Sequence, residues 1–207
     1  MRFYERYLLP WLIRWTMSSK EMAGERRKCL AGVRGKVLEV GFGNGLNLRH
    51  YPAGVESLDG LDPSPLAERL ARKEIGRVPF PVRVHTGSGE AIPFSDGSFD
   101  SVVLTWTLCT IRDPAAALRE IRRVLKPSGK LFFVEHGLSP QPRVARWQGR
   151  LNGIRKKIGG GCNLNRPMDR LITGAGFALE SLDNHHIKGP KTHTYLYLGV
   201  AAPADPP

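Results

Sequence analysis

Val37-Leu38-Glu39-Val40-Gly41-Phe42-Gly43-Asn44-Gly45 is the stretch of this 207-residue chain that decides its fold. Val37 to Val40 reads as a buried strand, and it runs into a turn with glycine at 41, 43 and 45. Glycine tolerates positive φ and lets a ligand approach the backbone closely. A strand that ends in such a turn and opens a helix predicts a nucleotide-type site at the carboxyl end of a parallel sheet. The dinucleotide fingerprint needs glycine at the first, third and sixth positions of that turn. Leu46 occupies the sixth, so that reading fails. Glu39 argues the same way, because a pyrophosphate seeks helix N–H groups without a carboxylate nearby.

S-adenosylmethionine has no phosphate and carries an ammonium and a sulfonium, and an acid beside the turn suits that cation. The pattern Glu-x-Gly-x-Gly-x-Gly resembles motif I of the class I S-adenosylmethionine methyltransferases, and further pieces follow in order. Leu58-Asp59-Gly60-Leu61-Asp62-Pro63 reads as a second strand ending in an acid. Asp62 can accept the ribose hydroxyls, as the acid does in dinucleotide folds, while Asp59 lies within the strand. Residues 87–94, Gly-Ser-Gly-Glu-Ala-Ile-Pro-Phe, are similar to the family's adenine loop. Ser88 stands where the family usually has an aspartate, leaving an uncharged acceptor and passing the adenine contact to the backbone near Gly89 and Glu90. Asp96-Gly97-Ser98-Phe99-Asp100 leads into a fourth strand, and residues 125–130 resemble the family's turn before strand five. The resemblance implies a cofactor site of Glu39, Gly41, Gly43, Gly45, Asp62, Pro63, Ser88, Gly89, Glu90 and Thr105. That site would bind S-adenosylmethionine and release S-adenosylhomocysteine.

The rest of the chain alternates accordingly. Strands are expected near 36–40, 57–61, 82–86, 100–105 and 130–135, with helices near 44–50, 64–75 and 114–125. That alternation predicts a parallel sheet covered by helices on both faces. Strands near 177–183 and 192–200 close it as an antiparallel pair. The expected fold is therefore a Rossmann-like α/β domain with a seven-stranded, mostly parallel sheet and an N-terminal helical cap. It is a single domain over 1–207, with the cap at 1–34, the cofactor core at 35–136, a basic cap segment at 137–175 and the last strands at 176–202. In the cap, Tyr4, Leu8, Trp11, Leu12 and Trp15 recur at helical spacing over Phe3–Met17, with a kink at Pro10. Ser18-Ser19-Lys20-Glu21 scans as a capping box with Ser18 at the N-cap. A basic helix is expected over Pro142–Ile158, with Trp147, Leu151, Ile154 and Ile158 as one stripe and Arg143, Arg146 and Arg150 as another.

Composition narrows the setting. A hydrophobic content of 41% supports a substantial core. Cys29, Cys109 and Cys162 include no CxxC pair, which predicts a reducing, cytoplasmic setting and no zinc site. No apolar run reaches the roughly 18 residues of a bilayer span, and the N-terminus lacks a signal peptide's features. The net charge of +12 is unevenly placed: residues 1–34 carry +5, residues 137–175 carry +7, and the remainder balances. A neutral core thus lies under two positive flanks, which in this family usually cover the substrate mouth.

Three short segments narrow the resemblance: Thr107-Leu108-Cys109 after strand four, Val134-Glu135-His136 ending strand five, and Gly161-Cys162-Asn163-Leu164-Asn165-Arg166. Together they resemble the alkyl-thiol methyltransferases of microsomal membranes and their bacterial relatives, which are often labelled phospholipid methyltransferases by similarity. The membrane-bound members carry a hydrophobic N-terminal anchor, replaced here by the shorter Phe3–Met17 segment. The resemblance implies S-methylation of a small thiol, with His136 as a possible base. Trp11, Trp106, Cys109 and Trp147 are candidates for the substrate pocket. Arginines and lysines of the flanks would favour a bound thiolate, since a free thiol with a pKa of about 8.5 is mostly protonated at neutral pH. Two alternatives stay open: N-methylation of a lipid or small amine at an anionic membrane surface, and cofactor binding without catalysis. The turn after strand four lacks the Asn/Asp-Pro-Pro-aromatic sequence of base-methylating enzymes, and no sequence-specific nucleic-acid partner is expected. His185-His186 lies on a strand, where adjacent side chains face opposite ways, so no metal pair is expected there.

Overall fold

A computed structural model of the chain describes residues 19–204. The expected helix over Phe3–Met17, with Trp11, lies outside the described residues, as does Ser18. The elements run α1 (Lys20–Leu30), β1 (Gly35–Val40), β2 (Val55–Asp62), α2 (Ala67–Ile75), β3 (Val82–Thr86), β4 (Phe99–Thr105), α3 (Pro114–Val124), β5 (Leu125–His136), α4 (Pro142–Ile158), α5 (Met168–Gly174), β6 (Phe177–His186) and β7 (Tyr195–Pro203). The seven strands form one sheet ordered β3-β2-β1-β4-β5-β7-β6. The first five pair in parallel, and β7 runs antiparallel to both β5 and β6.

Period-two alternation divides the core between the two sheet faces. Val37, Val103, Phe132 and Val134 pack with Cys29 and Leu30 of α1 and with Ala67 and Ala71 of α2. Leu38, Val102, Leu104 and Phe133 pack with Leu118 and Ile121 of α3 and with Met168 and Ile172 of α5. Leu118 and Ile121 are fully buried, each contributing roughly 1.5–3 kcal/mol relative to exposure. Helices therefore cover both faces, as alternation along the sequence predicts. The cap of α3 also follows expectation: the Asp113 side chain accepts from the Ala116 N–H at 3.0 Å, and Pro114 takes the first turn.

Several local expectations change. The helix expected near 44–50 reduces to a 3-10 turn over Leu48–His50, because the Asn47 side chain is drawn inward by Glu39, Thr105 and Arg26. The N-cap of α1 is Ser19, whose hydroxyl accepts from the Met22 N–H at 3.2 Å, one residue later than the capping box suggests. β5 begins at Leu125, five residues early, with a register shift against β4 between Phe99 and Ser101. The short helix α5 has no forerunner among the expected elements.

Helix α4 spans the expected residues, but both the apolar and the arginine stripe lie toward solvent, and a third face is buried. Trp147, Ile154 and Ile158 are each more than half exposed, while Val144 and Gln148 are buried. Polar contacts hold the inner face. Gln148 Nε2 donates to the Gly137 and Thr192 carbonyls, and its Oε1 accepts from the Ser139 N–H. Asn152 Oδ1 accepts from the Leu164 N–H. The backbone beneath α4 is loop with unpaired polar groups, and amide side chains satisfy it where an apolar stripe cannot.

Candidate active site

The strand order reverses between β1 and β4, and the crevice beyond their carboxyl ends is where ligands bind in open α/β sheets. Gly41 has φ +80°, and a Cβ there would sit 2.1 Å from Thr107 Oγ1, so the turn after β1 lies directly against the turn after β4. Gly43 donates its N–H to Asp62 Oδ2 at 2.7 Å, and Asp62 Oδ1 accepts from the Ser64 N–H at 2.8 Å. Asp59 instead meets His85 Nε2 at 2.8 Å. Glu39 is buried and bridges two elements: Oε1 accepts from Asn47 Nδ2 at 2.9 Å and Oε2 from the Tyr51 hydroxyl at 2.7 Å. Burial pushes its carboxyl up to about 7, although those two hydrogen bonds and nearby Arg26 oppose the shift. Arg26 donates from Nε to Asn47 Oδ1 at 2.9 Å, and its guanidinium lies 4.8 Å from the Trp106 ring centroid. Burial lowers its pKa to about 10.

Two cavities open off this turn. One, of about 270 Å³, is lined by Arg26, Glu39, Asn47, Thr105, Cys109, His136, Arg155 and Cys162, among others. The second, of about 420 Å³, is lined by Asp62, Pro63, Ser88, Gly89, Glu90 and Arg112, among others. They share Gly41, Trp106, Thr107, Thr110 and Gly159. Trp106 has φ +51°, a conformation that costs a bulky side chain of order 1–3 kcal/mol and that holds its ring where the cavities meet. Arg155 turns its Nε inward, buried and without a hydrogen-bond partner among the described residues.

The end of the smaller cavity is built by the three short segments singled out in the sequence. Glu135 is fully buried and accepts from the N–H groups of Thr107, Leu108 and Cys109 at 2.6, 2.8 and 3.2 Å. Asn163 donates twice to the Cys109 carbonyl, from its backbone N–H at 2.9 Å and from Nδ2 at 3.0 Å. Arg166 donates to the Leu108 carbonyl. This clamp brings Cys162 Sγ to 2.9 Å from His136 Nε2 and 3.9 Å from Cys109 Sγ. Their mutual contact, then burial, raises the Cys109 thiol, while the same contact and His136 lower Cys162. A thiolate in this pair therefore belongs to Cys162.

Comparison with known proteins agrees with this geometry. Residues 38–133 match the methyltransferase domain family. Thiol S-methyltransferase TMT1B of Homo sapiens is 35% identical over 173 residues, covering 78% of this chain and 70% of the relative. Thiol S-methyltransferase TMT1A of Homo sapiens is 32% identical over 205 residues, covering 90% and 83%. This chain belongs to that S-adenosylmethionine-dependent methyltransferase family. The methyltransferase also shares its fold with a solved putative methyltransferase from Bacillus halodurans, at TM-score 0.67 and 19% identity over 88% of this chain and 96% of the other. A possible histamine N-methyltransferase from Thermotoga maritima superposes at TM-score 0.70 and 19% identity over 98% and 99%.

The donor set fits S-adenosylmethionine. Two buried acids, Glu39 and Asp62, face the crevice of the methyltransferase, which suits a cationic nucleoside. Most of the residues expected to bind the cofactor line the two cavities, with one exception. Gly45 lines neither, and a Cβ there would press on Ala71 and Leu48 at 3.0 Å, so it is a packing glycine between turn and helix. Ser88 lines the larger cavity, but its hydroxyl is engaged with Glu90, donating to Oε2 and accepting from the N–H. Trp106, Cys109 and His136 meet in the smaller cavity, whereas Trp147 is 55% exposed and lies on the outer face of α4. Trp147 is therefore not a pocket residue of the methyltransferase. Sequence reading missed Arg26, Asn47, Tyr51 and Arg155, which sit in unremarked helix and loop positions. Cys162 was not among the expected site residues, although the segment around it was singled out.

Proposed function

We propose that the enzyme transfers the methyl group to the sulfur of a small thiol bound in the smaller cavity. One observation carries this reading: the segments that resemble the thiol methyltransferases converge on one water-poor wall made of Cys109, His136 and Cys162. The relatives named thiol S-methyltransferases support it. S-adenosylmethionine, when bound, supplies a sulfonium methyl group for in-line displacement. In this reading Asp62 accepts the ribose hydroxyls, and Pro63, Ser88, Gly89 and Glu90 border the adenine. Gly41 and Gly43 keep the turn flat against the donor, with Thr105 and Asn47 orienting Glu39. Trp106 separates donor from acceptor and excludes water between them. Arg155, on the basic flank, offers an inward cation that favours an anionic sulfur over a neutral one. The test is turnover with a matched panel of thiols and amines, read by product mass. Methylated thiols without methylated amines are expected, and the reverse would overturn the proposal.

Glu39 makes donor binding pH-dependent. Its carboxyl, held near 7 by burial, keeps a proton that an unfolded chain has released above about 4.5. The apo enzyme therefore loses stability from this group as pH rises from about 4.5 to about 7. A cationic donor favours the ionised form, so affinity should rise as pH increases from about 5.5 to 7.5. Calorimetric titration across that range should show the rise in wild type and a flat profile in Glu39→Gln.

A peripheral contact with an anionic membrane is proposed for the outer face of α4. Trp147, Ile154 and Ile158 are exposed there, and Arg143, Arg146, Arg150, Lys156 and Lys157 surround them with no acid in the helix. Apolar side chains flanked by cations suit the interface of an anionic bilayer. No helix among the described residues is long and apolar enough to cross a membrane. Co-sedimentation with phosphatidylserine vesicles should fall at least about fivefold in a Trp147→Glu, Ile154→Glu double variant, in line with about 1 kcal/mol per perturbed interfacial charge. Equal binding by the variant would remove this contact.

A further inference from the structure

We infer that Cys109, His136 and Cys162 form a three-ligand site for a zinc-type divalent metal, with its fourth position open to the sulfur of the methyl acceptor. The three donor atoms lie within 4.8 Å of one another, and all three residues are buried. Two thiolates bound at about 2.3 Å in a tetrahedral site stand about 3.8 Å apart, and Cys109 Sγ and Cys162 Sγ are 3.9 Å apart. A thiolate and an imidazole in the same site stand about 3.6 Å apart, so the 2.9 Å contact between Cys162 and His136 opens by a side-chain rotation when the ion enters. Two soft thiolates and one imidazole form a donor set that selects zinc over magnesium or calcium. The reading that excluded a metal rested on the missing CxxC pair and on His185-His186. Here the ligands come instead from the turn after β4, the end of β5 and the segment after α4.

The surroundings are those of a built site. Cys109 is held through its backbone by Glu135 and Asn163. The three residues line the smaller cavity beside Trp106, which leaves one direction open. Three protein ligands with one open position characterise catalytic rather than structural zinc.

The function of the fourth position rests on the thiol reading above. The S–H bond of the acceptor breaks as its sulfur enters that position, and the proton leaves to solvent. A lone pair on that sulfur forms the new S–CH3 bond while the donor's S–CH3 bond breaks. The electron pair of the broken bond stays on the donor sulfur and neutralises its sulfonium charge. A coordinated thiol is deprotonated at neutral pH, which removes the need for a free base.

The full-length chain, reduced and stripped by chelator, is titrated with cobalt(II) and then zinc(II). A thiolate-to-cobalt charge-transfer band and strong visible bands of tetrahedral cobalt are expected, quenched by zinc at one ion per chain. Loss of one outer-shell partner costs 10–100-fold in affinity, so Cys162→Ser and His136→Ala should lose at least about 100-fold for zinc. Cys29→Ala, in the opposite core, should retain the band, and S-adenosylmethionine binding by each variant reports that it is folded. Absence of the band, or a band indifferent to Cys162→Ser and His136→Ala, overturns the site. Undiminished thiol methylation by the metal-free enzyme also overturns it while leaving the proposed function standing. Metal binding without any methylated thiol would instead sink the proposed function and leave the site.

Discussion

Gly41→Ala is expected to lower S-adenosylmethionine affinity by at least about 100-fold, an effect of about 2.7 kcal/mol. Two costs add. A φ of +80° is unfavourable for an L-residue by roughly 1–2 kcal/mol. The new Cβ would also sit 2.1 Å from Thr107 Oγ1 and 2.4 Å from Thr107 Cγ2. Thr107 cannot retreat freely, because its N–H is bound by Glu135 at 2.6 Å. The turn after β4 must therefore shift, and with it Trp106, which lines both cavities. Gly43→Ala is the control: φ is +57°, but a Cβ there meets nothing within 4 Å. Its cost should stay near about 1–2 kcal/mol of backbone strain. Thr107→Gly combined with Gly41→Ala should recover part of the loss. Calorimetric titration of the three variants decides, and a Gly41→Ala affinity within a few fold of wild type would show that the turns are not in register for binding.

Glu135→Ala is expected to destabilise the fold by about 3–5 kcal/mol, the lower part of the range for three buried donors left unsatisfied at about 1–3 kcal/mol each. Its carboxylate accepts from three consecutive backbone N–H groups and is fully buried, so truncation leaves three donors unsatisfied in the turn after β4. For a chain of this size the melting temperature should drop by roughly 6–20 °C. Glu135→Gln keeps the shape and one acceptor oxygen. It can still serve Thr107 and Leu108 but presents an amide to the Cys109 N–H, so an intermediate loss is expected. Thermal denaturation of both variants, with cofactor affinity measured below the transition, separates stability from site geometry. A Glu135→Ala melting point within about 2 °C of wild type would contradict the clamp.

The sheet could be read from the sequence because each strand carries its own signal. Val37 to Val40 and Ser101 to Leu104 are short apolar runs flanked by turn residues, and Asp113-Pro114 marks a helix start without help from distant contacts. The glycine turn was legible for the same local reason: positive φ at 41 and 43 demands glycine wherever the chain goes next. Local signals failed where side chains answer to distant partners. Asn47 unwinds the helix expected near 44–50 because its amide donates to Glu39 and Thr105 and accepts from Arg26. Trp147 of α4, expected at the pocket, lies outside it because the loops beneath the helix needed the amides of Gln148 and Asn152 on its inner face.

By itself the sequence determined the α/β class, the parallel core and the identity of the methyl donor. Those properties depend on periodicity, on glycine at three positions, and on acids at strand ends. It also isolated residues 107–109, 134–136 and 161–166, but could say nothing of why they belong together. Only the tertiary structure decided that they meet, with Cys162 2.9 Å from His136 and Cys109 clamped by Glu135 and Asn163. The physical reason is that buried N–H and C=O groups must find partners. In this chain the partners of the turn after β4 come from 26 to 58 residues further along, a separation that no local pattern encodes.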